Sequence, residues 1–197
     1  MMDKIEKALR ENQAVILPTE TVYGLFAQAL HQKAVENVYD LKRRPKEKAM
    51  NLNVASLEDI LHFSKEYPPF LRKLYQAFLP GPLTIILKAN EKVPAWINSG
   101  MSTVGFRVPS HPKTLAYIKA CGPLIGPSAN LSGQKSGLKF HEICKFFPSQ
   151  VIGLEDDSAI KGIDSTILDL SKPRAKILRQ GSITQTDIQN CVSDIIF

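Results

Sequence analysis

The sequence lacks the spacings that mark metal centres and disulfide scaffolds. Its three cysteines, Cys121, Cys144 and Cys191, form no CxxC pair and no Cys/His pattern suited to zinc. They read as reduced thiols of a cytoplasmic protein. No GxxxxGK[ST] string occurs, which excludes a P-loop nucleotide site. No apolar run approaches the length that spans a bilayer. The stretch from Met2 to Asn12 is amphipathic, without the apolar centre of a signal peptide. What the chain does have is positive charge: 25 Lys and Arg stand against 19 Asp and Glu, a formal +6. That balance suits an anionic ligand such as a nucleotide, pyrophosphate or RNA without choosing among them. At 197 residues, 44% hydrophobic and 22% charged, the chain is expected to form one domain over 1–197 with a core that needs no staples.

Periodicity predicts alternating helices and strands. Helical patterns cover the first dozen residues, 32–43, a segment from Ser56 to Ser64, one opened by Pro68 and Pro69, Pro112–Ala120, His141–Phe147 and a tail from Thr184 to about residue 192. Strand patterns cover Ala14–Leu17, 50–55, Leu83–Lys88, Thr103–Val108, Leu124–Gly126, Val151–Leu154, Ser165–Leu170 and Lys176–Arg179. The expected fold class is therefore α/β, a twisted sheet flanked by helices. Some neighbouring strands have no helix between them, so the sheet is expected to be mixed. Gln134–Lys139 is the best candidate for a mobile loop.

Four segments carry more polar chemistry than a buried α/β core needs. The first, Pro18-Thr19-Glu20-Thr21-Val22-Tyr23-Gly24-Leu25, follows a buried strand, where open sheets place ligands. It reads equally as a capped turn. The second, Lys42-Arg43-Arg44-Pro45-Lys46-Glu47-Lys48, is a phosphate clamp or a solvated basic helix end. The third, Thr103–Pro109, sets Arg107 between Phe106 and Val108, so it faces away from both. It then points to solvent or into a cavity where a carboxylate is its natural partner. The fourth, Gly126–Gly133, offers two hydroxyls, an amide and backbone N–H groups, enough to wrap an anion or to make a plain turn. Asp164-Ser165-Thr166 and Arg179-Gln180-Gly181 are of the same kind.

Taken in order, TETVYGL, KRRP, PGPLT, FRVP, PSANLSG, DST and LRQG resemble the signature of YrdC-like domains, over about residues 5–182. The chain is similar to the threonylcarbamoyl-adenylate synthases of that family, in the minimal single-domain form. The resemblance implies a twisted α/β sheet with a deep, basic cavity. It implies condensation of L-threonine, bicarbonate and ATP with release of pyrophosphate, in a nucleotidyltransferase reaction. A tRNA-modifying threonylcarbamoyl transferase complex would take the product onward. Carried over by motif, Thr21, Tyr23, Asn53, Arg107 and Ser165 would form the threonine site. Lys42, Arg44, Lys48, Thr103, Ser128, Asn130, Ser136 and Arg179 would bind the nucleotide, with Lys42 and Arg44 stabilising phosphate charge. Mg²⁺ would come with ATP, held by phosphates and water. No side-chain nucleophile is needed, and the four histidines have no assigned role.

One departure is visible. Many relatives have a histidine in the strand after the basic motif; here Asn53 stands in that place, able to donate a hydrogen bond but not to act as a base near neutral pH. Two other readings compete with the synthase. One is a module that binds double-stranded RNA or tRNA, for which no RNP-like strand or KH-type GXXG loop is present. The other is the carbamoyl-transfer domain of hydrogenase maturation, whose zinc-finger and acylphosphatase segments are missing from this sequence.

Overall fold

The computed structural model describes residues 3–197; Met2, included above in the opening amphipathic stretch, lies outside them. Helix α1 (Lys4–Arg10) starts on Asp3, whose carboxylate accepts from the Ile5 and Glu6 amides and so satisfies two free N–H groups of the first turn. Strand β1 (Val15–Leu17) then pairs antiparallel with β2 (Gly24–Gln28). The sequence reading did not include β2. Its run Gly24-Leu25-Phe26-Ala27 is wholly buried, so no polar alternation marks it as a strand.

The next elements are α2 (Gln32–Leu41), β3 (Leu52–Asn53), α3 (Leu57–Phe63), β4 (Ser64–Glu66), α4 (Leu71–Phe78), β5 (Leu83–Ala89), α5 (Ala95–Asn98) and β6 (Thr103–Arg107). They are followed by α6 (Pro112–Cys121), β7 (Leu124–Ile125), α7 (Phe140–Cys144), β8 (Thr166–Asp169), β9 (Lys176–Arg179) and α8 (Gln185–Cys191). Ser56 and Thr184 begin α3 and α8 with reciprocal capping boxes to Asp59 and Asp187.

Three expectations shrink. The strand of 50–55 pairs only over Leu52–Asn53, and the helix of His141–Phe147 is only Phe140–Cys144. Val151–Leu154 makes a single parallel bridge, Gly153 to Ile16. There the Ile152 carbonyl and the Leu154 amide bond to Ile16 at 2.9 Å each. A Cβ on Gly153 would sit 2.6 Å from the Ile16 carbonyl oxygen, so the chain touches β1 at that point without running on as a strand.

The strands form one mixed sheet in the order β1-β2-β7-β3-β6-β5-β8-β9, with β4 beside β5. The pairs β3/β6 and β5/β8 are parallel and the rest antiparallel. Alternation sorts the side chains. Val15, Leu17 and Phe26 meet Ile5 and Leu9 of α1 and Tyr117 and Ile118 of α6. Ile16, Leu25 and Ala27 join a larger core with Val35 and Val38 of α2, and with Leu52, Phe106, Ile85 and Leu168 from four further strands.

Candidate active site

Leu52, Phe106, Ile85 and Leu168 are each fully buried. Their strand neighbours Asn53, Arg107, Thr84 and Ile167 therefore point to the other face of the sheet. The registers bring these neighbours into one row. Asn53 pairs with Arg107. Thr84 lies one step beyond the Ile85–Phe106 pair and so beside Arg107. Thr84 pairs with Ile167, and Ile167 with Arg179. All five line a cavity of about 260 Å³, together with Thr19, Arg44, Asn51, Ser128, Asp164 and Ser165 among others.

The Thr19–Tyr23 turn closes one side. The Thr19 hydroxyl donates to the Val22 carbonyl at 2.7 Å and shares a 2.8 Å bond with Thr21 Oγ1. Arg107 reaches this turn through Nη2, which donates to Thr21 Oγ1 at 2.7 Å and to Glu20 Oε1 at 2.8 Å. Glu20 Oε2 accepts from the Ser110 amide at 3.0 Å. Burial pushes the Glu20 carboxyl up, but the charge and hydrogen bond of Arg107 outweigh it and leave the group below its ordinary value. Arg107 Nε is buried with no hydrogen-bond partner among the described residues.

The loop from Gly126 forms the opposite wall. It is tied to the turn by Leu25 N to Pro127 O at 2.8 Å and Ala129 N to Tyr23 O at 2.7 Å. Lys42, with only 1% of its surface exposed, runs beneath this loop. Its Nζ donates to the Ser128 carbonyl and, at 2.5 Å, to that of Asn130. Burial first, and the charge of Arg44 second, bring its pKa down to about 8. Asn130 Nδ2 closes the next turn onto the Leu131 and Gln134 carbonyls, at 2.9 and 2.8 Å.

Arg44 does face the cavity. Nε and Nη2 hold the Lys48 and Ala49 carbonyls at 3.1 and 2.8 Å, which fixes the plane of its guanidinium. At the far end, Arg179 donates to the Ser165 carbonyl and hydroxyl at 3.0 Å each and lies 3.6 Å from Asp164.

Of the residues singled out from sequence, Arg44, Asn53, Arg107, Ser128, Ser165 and Arg179 share the cavity wall. Thr21 lies behind Arg107. Tyr23 turns away, donating to Asp157 Oδ1 at 2.9 Å and packing on Phe140. Lys42 and Asn130 brace the loop from beneath. Lys48 contributes its carbonyl, to Tyr39 and Arg44. Thr103 starts β6 opposite Lys88, and Ser136 lies half-buried in the Gln134–Lys139 stretch. Thr84 and Asn51 were not singled out. For Thr84 the signals are its place at the end of the PGPLT motif and a lone hydroxyl inside the apolar run Leu83–Leu87.

The arrangement has the groups that bind anions. Three arginines and one carboxylate line the cavity, with threonine and serine hydroxyls between them. Among the described residues, no group of three His, Cys, Asp or Glu is placed to hold a metal ion, and no helix is long and apolar enough to cross a membrane.

Known proteins share this framework. The family model Sua5_yciO_yrdC, described as "Telomere recombination", matches residues 7–181. The chain is 35% identical over 189 residues to a threonylcarbamoyl-AMP synthase of Pyrococcus abyssi, covering 95% of this chain and 56% of that protein. It is 34% identical over 190 residues to a threonylcarbamoyl-AMP synthase of Bacillus subtilis, covering 95% and 55%. The crystal structure of P. abyssi Sua5 complexed with L-threonine superposes with a TM-score of 0.91 at 34% identity, over 98% of this chain and 57% of that one. The chain thus spans about half the length of these relatives.

Proposed function

The chain belongs to the Sua5/YciO/YrdC family, and from that premise we propose that it makes threonylcarbamoyl-AMP from L-threonine, bicarbonate and ATP, releasing pyrophosphate. This is nucleotidyl transfer, and it supplies threonylcarbamoyladenosine modification of tRNA. The observation that carries the reading is the cross-strand row of Asn53, Arg107, Thr84 and Arg179 beside Arg44 and Ser128. It supplies cations and hydroxyl donors for two anionic substrates. The likeness to a structure holding L-threonine supports it.

The chemistry asks for alignment more than for a nucleophile. Bicarbonate, protonated, loses water to give CO₂; the threonine amine adds to the CO₂ carbon and loses a proton, giving a carbamate. A carbamate oxygen then bonds to the α-phosphorus as the bond to pyrophosphate breaks. Arg107, with Nη2 held by Glu20 and Thr21, presents its remaining edge to the threonine carboxylate. Arg44, fixed by two carbonyls, faces the triphosphate and offsets charge on the leaving group. Ser128 and Arg179 complete the nucleotide side, and Ser165 and Asn53 the amino-acid side. Lys42 acts through the loop it braces. Among the described residues Asp164 is the one carboxylate lining the cavity, which fits Mg²⁺ carried by ATP phosphates and water better than a protein cage. A single domain over 1–197, a cytoplasmic setting and hand-over to a tRNA-modifying transferase belong to the same proposal.

The test is pyrophosphate release from Mg·ATP and bicarbonate with L-threonine, with serine and without an amino acid. Strong threonine dependence is the expected result. No release, together with salt-sensitive RNA binding, would overturn the reading.

A further inference from the structure

Thr84 closes the motif Pro80-Gly81-Pro82-Leu83-Thr84 at the start of β5, within the cross-strand row that lines the cavity. It is 1% exposed yet lines the cavity, and Ser165 beside it is 2% exposed. Their hydroxyl oxygens lie 2.9 Å apart. Arg179 Nη2 donates to Ser165 Oγ at 3.0 Å. Neither hydroxyl makes another side-chain hydrogen bond among the described residues.

Proton counting then fixes what is left over. Each hydroxyl brings one proton. Arginine is only a donor, so its bond fills a lone pair on Ser165 and uses neither hydroxyl proton. The Thr84–Ser165 bond uses one of the two. One buried O–H therefore has no acceptor among the described residues, in a wall that faces open space. A positive donor on Ser165 Oγ strengthens that hydroxyl as a donor in turn, because bonds in a chain polarise one another. With Ser165 as the donor of the shared bond, the direction Arg179 favours, the chain runs from Arg179 to Ser165 to Thr84 and the free proton is on Thr84.

We propose that Thr84 is a substrate-binding residue that donates its hydroxyl proton to an oxyanion of the substrates, polarised through Ser165 by Arg179. The inference rests on the synthase reading and deepens it. The shared ligand chemistry is an anionic oxygen, which a threonine carboxylate or carbamate and an ATP phosphate can each supply.

Thr84→Val keeps the shape and removes the donor; Thr84→Ser keeps the donor. Steady-state pyrophosphate release, titrated separately in L-threonine and in ATP, reads both. Thr84→Val is expected to lose about tenfold or more in kcat/KM, and Thr84→Ser to stay within about threefold of wild type. A loss confined to the threonine titration assigns the oxyanion to the amino acid, and one confined to ATP assigns it to phosphate. Unchanged kinetics in Thr84→Val would overturn the proposal, as would equal losses in Val and Ser. Should Thr84→Val fail to fold, Ser165→Ala cuts the same chain. It must lower kcat/KM, and a Thr84→Ala change, which removes the donor, must cost less in that background than in the wild type; additive effects would sink the relay. A wild-type protein with no threonine-dependent release fails the synthase reading itself, a result distinct from any variant's.

Discussion

Arg107 Nη2 donates to Glu20 Oε1 at 2.8 Å and to Thr21 Oγ1 at 2.7 Å, while its Nε, also buried, has no partner among the described residues. Nη2 is thus held by the protein, while the guanidinium still lines the cavity. Arg107→Ala is expected to raise the KM for threonine by about tenfold to a hundredfold, with a smaller change in the KM for ATP. It also leaves Glu20 without its cation at 13% side-chain exposure. Thermal or urea unfolding should show a loss of roughly 3 kcal/mol. An unchanged threonine requirement would move the amino-acid site elsewhere.

The same pair predicts an acid limb. Glu20 ionises below its ordinary value of 4.5 in the folded protein. The unfolded chain therefore takes up a proton first as pH falls. The stability from this group is present above the ordinary value and is lost as pH drops through the depressed folded value. Glu20→Gln should flatten that part of the stability-versus-pH curve, measured by denaturant midpoints at a series of acidic pH values. An acid limb of wild-type steepness in the variant would show that other carboxylates carry it.

Lys42 predicts a rise at the alkaline end. Its folded pKa near 8 lies below the ordinary 10.5. Between these values the unfolded chain binds a proton that the folded chain has released, so stability rises with pH across that window. The neutral amine still has two N–H donors for the Ser128 and Asn130 carbonyls. Lys42→Met should abolish the rise. It should also cost about 2 kcal/mol near neutral pH, because two carbonyls lose their donor. Chemical denaturation across the window between the two pKa values measures both.

Gly126 marks a limit on the cavity floor. A Cβ there would lie 2.4 Å from Phe26 Cε1 and 2.8 Å from Asn53 Nδ2. Gly126→Ala should destabilise the protein by about 1–3 kcal/mol through overpacking. Because the added methyl also displaces Asn53, the KM for substrate should rise even at temperatures where the variant stays folded. Wild-type stability and kinetics together would contradict this packing.

Much of this was legible before folding. Phe106 and Val108 around Arg107 dictated that the guanidinium leaves the core, because strand side chains alternate. Ser56, followed by Asp59 three residues on, marked a helix start. The ordered motifs pointed to the family. β2 was not legible, because burial on both faces erases the alternation that marks a strand. Sequence also could not separate Lys42 from Arg44. Both belong to one basic run, yet one is sealed under the Gly126 loop and the other opens onto the cavity. Only the tertiary structure decided the row from Asn53 through Arg107 and Thr84 to Arg179. Those residues come from four strands far apart in the chain, and it is the register of hydrogen-bonded pairs, a non-local property, that sets them side by side.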